Sequence, residues 1–282
     1  MDKLLNGKKV RKEILTKLKT QVEKLPRKLG LCVIQVGNDP ASCVYIRQKE
    51  KMAEQLNYNF RHLKFKENIS EKELLNKIEE LNKDDLIDGI LVQMPLPKHL
   101  NPRVRENAID PLKDVDGLTD INTGKLFHNV DSLIPCTPKG IIDLLAYYQI
   151  PLEGKNVVII GRSDLVGKPL EGLMTNRNAT VTLCHSKTKN LQAITKTADI
   201  LVVAVGKPHL ITKEYIKDGT IIIDVGINRL EDGTLCGDVL FEDVKEKASA
   251  ITPVPGGVGP MTIAELAQNT YQAYLLKNKK TL

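Results

Sequence analysis

Tryptophan is absent from this 282-residue sequence, aromatic residues make up only 4% of it, and no apolar run is long. The longest runs, 200–205 and 221–223, fall far short of the roughly 20 apolar residues that a membrane-spanning helix needs. The first residues also lack the apolar core of a secretory signal. Hydrophobic residues nevertheless reach 41%, which is enough for a substantial core. We therefore expect a cytoplasmic globular protein that has no membrane partner.

Cysteine is scarce, and its placement argues against a disulfide-stabilised protein and against a metal-binding one. The five cysteines are an odd number, widely scattered, with no C-x-x-C pair and no histidine at metal-ligand spacing. This pattern indicates reduced thiols and predicts no metal site. Cys136 lies in a Pro-Cys-Thr-Pro loop without a base nearby in sequence, so we interpret it as a structural thiol.

Positive charge is concentrated at the amino end. The net charge is +6, and the first 28 residues hold ten Lys and Arg against three acidic residues. Here Val10, Ile14, Leu18 and Val22 recur every four positions, which predicts an amphipathic helix with the lysines on its solvated face. Because no aromatic residues interleave the basic ones, we do not expect nucleic-acid binding.

Helix and strand patterns alternate along most of the chain, which is typical of parallel α/β architecture. A Pro- and Asp-rich section, 95–138, interrupts them and is interpreted as loops between domains. The predicted strands are 29–36, 59–65, 89–94, 157–160, 180–184, 200–205 and 221–225. The predicted helices are 7–24, 42–57, one opened by the capping box Ser70-x-x-Glu73, 139–148, and a last one opened by Thr262-x-x-Glu265.

This pattern predicts two domains. The first, 1–121, is an N-terminal α/β substrate domain. The second, 122–282, is a Rossmann-type doubly wound parallel sheet whose terminal helix, 262–282, packs back on the first domain.

The chain's most informative turn joins a predicted buried strand to a helix between Gly161 and Gly167. Gly161 permits a sharp turn, and Gly167 lets the helix begin close to the sheet and to an anion. The spacing departs from G-x-G-x-x-G, so an ordinary strand-to-helix turn remains the alternative. A second glycine-ended strand, 221–225, precedes Ile227, which is either a contact for a nicotinamide ring or a plain apolar loop residue.

The end of the next strand indicates which dinucleotide this turn would hold. An NAD site usually places an acidic residue there, but the chain reads Thr-Leu-Cys-His-Ser-Lys-Thr over 182–188. His185, Ser186 and Lys187, with Arg162 in the turn, offer donors or positive charge. These suit a ribose 2′-phosphate, so we predict NADP rather than NAD.

The first half carries residues with acid–base potential. Tyr45 and Lys49 are four apart and project from one helix face, which is either a functional pair or a surface stripe. Gln93 follows a predicted strand, and Asp116 lies in a turn. Near the other end, the Pro-Gly loop 252–260 permits close backbone approach to a flat ligand.

Together these motifs resemble the bifunctional methylenetetrahydrofolate dehydrogenase/methenyltetrahydrofolate cyclohydrolase family over essentially the whole chain. The motifs that carry the resemblance are Tyr45-x-x-x-Lys49, Val92-Gln-x-Pro-Leu-Pro97, Asp114-Val-Asp-Gly117, Pro135-Cys-Thr-Pro138, Gly161-Arg-Ser-x-x-Val-Gly-x-Pro169, Asp224-Val-Gly-Ile-Asn228 and Pro253-Val-Pro-Gly-Gly-Val-Gly-Pro-Met-Thr262.

The resemblance implies an enzyme of one-carbon metabolism and purine biosynthesis. It would oxidise 5,10-methylenetetrahydrofolate with NADP and hydrolyse the product to 10-formyltetrahydrofolate, as a cytoplasmic homodimer. The implied catalytic residues are Lys49, Gln93, Asp116 and Tyr45. The implied folate-binding residues are these four with Val92, Met94, Pro255, Gly256, Gly257, Val258 and Gly259. The implied NADP-binding residues are Gly161, Arg162, Ser163, Gly167, His185, Ser186 and Ile227.

Two alternatives remain open from the sequence. One is a dehydrogenase without cyclohydrolase activity, against which the intact Tyr45, Lys49 and Gln93 argue. The other is a non-catalytic NADP-binding protein. Turnover of folate by the purified protein distinguishes the second from both enzymes.

Overall fold

The structure, a computed structural model, describes residues 3–279, which divide into two compact units. The three-stranded unit comprises 13–136 and the chain from Ile263 onward, and the five-stranded unit comprises 3–12 and Thr137–Thr262. Residues 122–136 therefore group with the first half of the chain and 3–12 with the second, unlike the expected division at residue 121. Residues 280–282 of the expected terminal helix lie outside the described residues.

Three parallel strands form the sheet of the three-stranded unit in the order β2-β1-β3. Their bounds are β1 (Gly30–Val36), β2 (Asn59–Phe65) and β3 (Gly89–Val92). The helices are α2 (Pro40–Gln55), α3 (Glu71–Lys83), α4 (Pro102–Ala108) and α5 (Asp120–Phe127), with most of α1 (Gly7–Val22) and of α10 (Val258–Lys279).

The central strand β1 is buried along its whole length because helices cover both sheet faces, as in other parallel sheets. Leu31 and Val33 pack in one apolar cluster with residues of α1, α2 and α10. Cys32 and Ile34 face a second cluster that α3 supplies. This alternation places one β1 face against each layer of helices.

Five parallel strands form the main sheet of the other unit in the order β10-β7-β6-β4-β5. The strands are β4 (Asn156–Ile160), β5 (Thr180–Cys184), β6 (Ile200–Val203), β7 (Ile221–Asp224) and β10 (Ala250–Ile251), with an antiparallel pair β8 (Asn228–Arg229) and β9 (Leu235–Cys236). The helices are α6 (Cys136–Tyr147), α7 (Gly167–Thr175), α8 (Leu191–Thr195), α9 (Phe241–Val244) and the 3₁₀ helix Lys213–Tyr215.

Parallel pairing brings the carboxyl ends of these strands to one edge of each sheet. In the five-stranded sheet Val157 pairs with Ile200, and Ile200 pairs with Ile221, so β4, β6 and β7 run in near-common register. Such an edge is where open α/β sheets bind their ligands. The predicted α/β fold, with a Rossmann-type sheet in the second half, is confirmed.

Two expectations about the elements were wrong. The section 95–138 is not all loop, because Asn101 caps α4 ahead of Pro102, and Thr119 caps α5. Asn, Thr and Pro serve helix starts as well as turns, which hid both helices. The last helix begins at Val258 rather than at Thr262, since Pro260 is tolerated in a first turn that needs no intrahelical donor.

Two types of feature are not found in residues 3–279. No helix there is long and apolar enough to cross a membrane. Those residues also contain no group of three or more His, Cys, Asp or Glu side chains that could hold a metal ion.

Truncation of Leu31 tests the packing around β1. Leu31 is fully buried, so Leu31→Ala is expected to lower the free energy of unfolding by about 2–5 kcal/mol. Leu86, which is 55% exposed in the same unit, supplies the control Leu86→Ala, with an expected change within about 0.5 kcal/mol. Urea denaturation measures both, and equal effects would contradict the assigned core.

Candidate functional site

Helix α2 is fixed at its start against the end of β3. Asp39 caps the helix by accepting the amide of Ser42 at 2.7 Å, and Pro40 occupies the first turn. The Ser42 hydroxyl then donates to the carbonyl of Met94 at 2.9 Å. These contacts set the position of Lys49, two turns further along α2.

Lys49 and Gln93 meet although they are far apart in sequence. Lys49 Nζ donates to Gln93 Oε1 at 2.7 Å. Gln93 extends the β3 ladder by donating its amide to the carbonyl of Ile34 at 2.8 Å, and its Nε2 donates to the carbonyl of Met94 at 2.8 Å. With Nε2 engaged in this way, the amide presents its oxygen to the amine.

Burial and neighbouring charge control the protonation of Lys49. The side chain is only 8% exposed, and this desolvation lowers the pKa of Lys49, while the Asp116 carboxylate opposes the change. Burial likewise raises the pKa of Asp116, opposed by the positive charges of Lys49 and Arg105. Both groups are therefore shifted toward their neutral forms, which is the property of a proton-transfer site.

Arg105 is a site residue that the sequence did not reveal. It is 3% exposed, with one guanidinium nitrogen donating to the carbonyl of Val92 at 3.1 Å and another 3.0 Å from the sulfur of Met94. It lies on α4, inside the section that had been interpreted as loops. The helix caps inside that section, Asn101 and Thr119, were the signal that could have indicated an ordered position.

The turn that carries Asp116 is held from two sides. Gly117 adopts φ +69°, and a Cβ there would lie 2.6 Å from the backbone of Ile134. Asn269 on α10 donates to the carbonyls of Val115 and Ile134, both at 2.8 Å. Asn269 therefore joins the Asp116 turn to a segment that is distant in sequence, and nothing local in the sequence indicates this role.

Cys136 belongs to the same buried cluster. Its thiol is 3.3 Å from the carbonyl of Val115 and 3.6 Å from Nδ2 of Asn269. A hydrogen bond from this thiol also lowers the pKa of Asp116. With 4% exposure, Cys136 has the environment of the structural thiol that we expected.

Tyr45, Val92 and Met94 complete the predicted residues of the three-stranded unit. Tyr45 lies one turn before Lys49 on α2 and is 39% exposed, so its ring is available to a flat ligand. Val92 is buried as the last residue of β3, and Met94 is partly buried just beyond Gln93. All six predicted residues of this unit thus lie on α2, at the end of β3 or in the Asp116 turn.

The predicted Pro-Gly residues lie in the five-stranded unit. Pro255 is exposed, Gly256 adopts φ +120°, and the amide of Gly257 donates to the carbonyl of Pro253 at 2.7 Å. Val258 and Gly259, which we expected in the loop, form the first turn of α10 instead. A Cβ on Gly257 would lie 2.7 Å from that same Pro253 oxygen, so the turn requires glycine there.

The turn after β4 has the shape of a phosphate-binding site. A Cβ on Gly167 would lie 1.9 Å from the carbonyl oxygen of Gly161, so α7 begins directly against the strand end. No side chain caps α7 at Val166, but the amide of Lys168 already donates to the carbonyl of Ser163 at 3.2 Å and Pro169 has no N–H, so the helix start offers a ligand few amides. Arg162 and Ser163 are exposed in the turn, and Ser163 Oγ accepts the amide of Val166 at 3.2 Å.

The end of β5 supplies donors and no carboxylate. His185 is held in a tight turn, its amide bonded to Thr188 Oγ1 at 2.8 Å and its Nδ1 accepting the amide of Lys187 at 3.1 Å. The imidazole therefore carries its proton on Nε2. Ser186 and Lys187 are exposed beside it. This set of groups suits an anionic 2′-phosphate.

Ile227 follows β7 at the same sheet edge and is 45% exposed. Its Cδ1 lies 3.3 Å from the position that a Cβ on Gly259 would occupy. The turn after β4, the donors after β5 and this apolar side chain after β7 therefore fit a dinucleotide laid along the carboxyl edge of the five-stranded sheet.

Comparison with known families matches both units. The model for the tetrahydrofolate dehydrogenase/cyclohydrolase catalytic domain matches residues 5–116, and the model for the NAD(P)-binding domain of the same family matches residues 135–278. The bifunctional protein FolD of Streptococcus agalactiae serotype Ia is 50% identical over 279 residues, covering 98% of each chain.

Solved structures are similar over almost the whole chain. The bifunctional FolD methylenetetrahydrofolate dehydrogenase/cyclohydrolase from Campylobacter jejuni has a TM-score of 0.96 and 45% identity, covering 97% of this chain and 99% of that one. The Trypanosoma brucei FolD complexed with NADP cofactor and inhibitor has a TM-score of 0.93 and 33% identity, covering 98% of each. The resemblance found in the sequence is confirmed, and the chain belongs to the tetrahydrofolate dehydrogenase/cyclohydrolase family.

Proposed function

We propose that this protein is a bifunctional one-carbon folate enzyme. It oxidises 5,10-methylenetetrahydrofolate to the 5,10-methenyl form with NADP and then hydrolyses that product to 10-formyltetrahydrofolate. The observation that carries the proposal is the buried Lys49 amine, which is hydrogen-bonded at 2.7 Å to a neutral amide rather than to a carboxylate. Such an amine is suited to the proton transfers of the hydrolytic step.

For the oxidation, the protein's task is alignment. NADP, when bound, supplies the acceptor for the hydride that leaves the methylene carbon. A folate nitrogen lone pair assists that departure, so the step needs no protein base. Gly161, Arg162, Ser163 and Gly167 would hold the pyrophosphate. At the far end of the cofactor, Ile227 would contact the nicotinamide ring.

The absence of an acidic residue over 182–188 supports NADP over NAD. Ser186 and Lys187, exposed after β5, would bind the 2′-phosphate together with His185. A carboxylate at this place would repel that phosphate and instead accept a ribose 2′-hydroxyl.

The folate would be held by groups of complementary chemistry. The Asp116 carboxylate, when ionised, could accept two hydrogen bonds, which matches the paired donors on a pterin edge. Tyr45 would stack on the flat ligand, with Val92 and Met94 beside Gln93. We also assign Pro255, Gly256, Gly257, Val258 and Gly259 to folate binding because glycine-rich backbone permits close approach.

The hydrolysis uses Lys49 twice. Its neutral amine takes a proton from the water that adds to the methenyl carbon, and the resulting ammonium returns a proton to the departing folate nitrogen as the carbon–nitrogen bond breaks. The remaining hydroxyl proton passes to solvent as the formyl C=O forms, so one proton is released overall. Gln93 Oε1 accepts from the amine in both states without adding charge. A bound methenyl cation would lower the pKa of Lys49 further.

We extend the proposal to the setting of the enzyme. The family resemblance supports a homodimer in the cytoplasm whose product supplies formyl groups for purine biosynthesis. Sedimentation of the purified protein tests the dimer directly.

A spectrophotometric assay with methylenetetrahydrofolate tests both activities. Reduced cofactor and the methenyl intermediate are followed separately, with NADP or NAD. We expect turnover to 10-formyltetrahydrofolate with a higher kcat/KM for NADP. Equal efficiency with both cofactors would contradict the NADP assignment, and accumulation of the methenyl form would indicate a dehydrogenase alone.

Substitution of Lys49 tests its role in hydrolysis. Lys49→Met removes the amine but keeps the length of the side chain, and we expect cyclohydrolase kcat to fall by at least about 100-fold while part of the dehydrogenase activity remains. The matched control is Lys51→Met, an exposed lysine on the same helix, which should leave both activities unchanged. Retained hydrolysis by Lys49→Met would refute the assignment.

The pH dependence of hydrolysis tests the amine's environment. Since burial lowers the pKa of Lys49, the neutral amine persists to lower pH than at the surface, and hydrolysis falls only below that lowered pKa. Gln93→Glu places a carboxylate on the amine, which raises its pKa and should move the acid limb upward by about 1–2 pH units. Gln48→Glu, exposed on the same helix, is the control. An unmoved profile would argue against Lys49 as the titrating group.

A further inference from the structure

A buried carboxylate that neither activity accounts for lies at the carboxyl edge of the five-stranded sheet. Asp238 is fully buried and follows the short strand β9. It contacts two segments: the β6 loop, residues 204–207, and the β7 loop, residues 225–228. These loops follow neighbouring strands of the sheet.

Three successive amides of the β6 loop converge on this one carboxylate. Asp238 Oδ2 accepts the amides of Val205 at 2.7 Å and Gly206 at 3.0 Å, and Oδ1 accepts the amide of Lys207 at 2.8 Å. Successive amides that point to one centre form a nest, a backbone shape that binds anions. The Asp238 carboxylate therefore occupies a nest of amides that would otherwise attract a phosphate.

The β7 loop is held by the same carboxylate and by a second one. Nδ2 of Asn228 donates to Asp238 Oδ1 at 2.9 Å, and the amide of Gly226 donates to Asp224 Oδ1 at 3.0 Å. A Cβ on Gly226 would lie 2.3 Å from the Asp238 carboxyl carbon, so the loop packs directly on this group. Ile227 lies between Gly226 and Asn228, the two residues that these hydrogen bonds hold.

The β6 loop also adjoins the proposed phosphate-binding turn. A Cβ on Gly161 would lie 2.2 Å from the carbonyl oxygen of Ala204, which precedes the three bonded amides. The edge thus presents the exposed side chains of Arg162 and Ser163 in that turn and, next to them, a loop whose amides are already occupied. A ligand's phosphates are favoured at the first position, and an uncharged group with its own donors at the second.

Resting on the proposed function, we propose that Asp238 is a positioning residue for NADP. By occupying the amides of the β6 loop and anchoring Asn228, it orients the two loops so that they and Ile227 receive the nicotinamide riboside end. The pyrophosphate is thereby confined to the turn between Gly161 and Gly167. Asp238 itself touches no reacting atom.

Asp238→Asn tests this, because one carboxylate oxygen becomes an amide nitrogen that faces donors it cannot bond. We expect the KM for NADP in the dehydrogenase assay, and the Kd for NADP by calorimetry, to rise about tenfold or more. Hydrolysis of added methenyltetrahydrofolate, which uses no dinucleotide, should stay within about twofold of wild type. A merely structural role would lower both activities together.

The control is Asp199→Asn at the opposite end of the same sheet. Asp199 accepts the amide of Asn156 at 2.9 Å and pairs with Lys217 at 2.7 Å, so its loss affects the sheet without touching the edge. We expect a lower melting temperature with the KM for NADP unchanged. An equal rise of that KM in Asp199→Asn would overturn the proposal.

Asn228→Ala keeps the test decisive if Asp238→Asn fails to fold. It removes one hydrogen bond to the carboxylate and should raise the KM for NADP in the same direction, again without loss of hydrolysis. An unchanged KM in Asn228→Ala, or parallel loss of both activities in either variant, would overturn the role of Asp238. Failure of the proposed function is separate: the wild-type enzyme would then turn over no folate, while calorimetry with NADP would still report on Asp238.

Discussion

The hydrogen bond from Lys49 to Gln93 depends on most of the three-stranded unit. Its 2.7 Å length requires that α2 and the end of β3 be fixed together, which the Asp39 cap and the bond from Ser42 to Met94 accomplish. The surrounding burial lowers the pKa of the amine, and a neutral partner leaves it so lowered. A solvent-exposed lysine, in contrast, would remain charged near neutral pH and could not act as a base there.

The five-stranded unit uses backbone geometry where the other unit uses side-chain chemistry. Gly161 and Gly167 let a helix start touch a strand end, since any Cβ there would meet backbone oxygen within about 2.2 Å. Beside this turn, Asp238 occupies the amides of the β6 loop. Under the proposed function, the phosphates of a dinucleotide would bind at the turn after β4 rather than at the β6 loop, which would give the ligand a direction.

Much of the fold could be predicted because its signals are local. The strand 59–65 and the capping box at Ser70 reflect residue preferences and short-range hydrogen bonds, and both are present as expected. Helices α4 and α5 were missed for an equally local reason. The residues that cap them, Asn101 and Thr119, are also those that favour turns.

The sequence by itself determined the alternation of helices and strands, the family and the residue types that carry the chemistry. The sequence did not determine which other residues position the groups that carry this chemistry. Arg105, Asn269 and Asp238 act on partners up to 154 residues away, and no periodicity encodes such a contact. Only the tertiary structure decided that the pKa of Lys49 is lowered, because desolvation and neighbouring charge exist only once distant segments have packed around the amine.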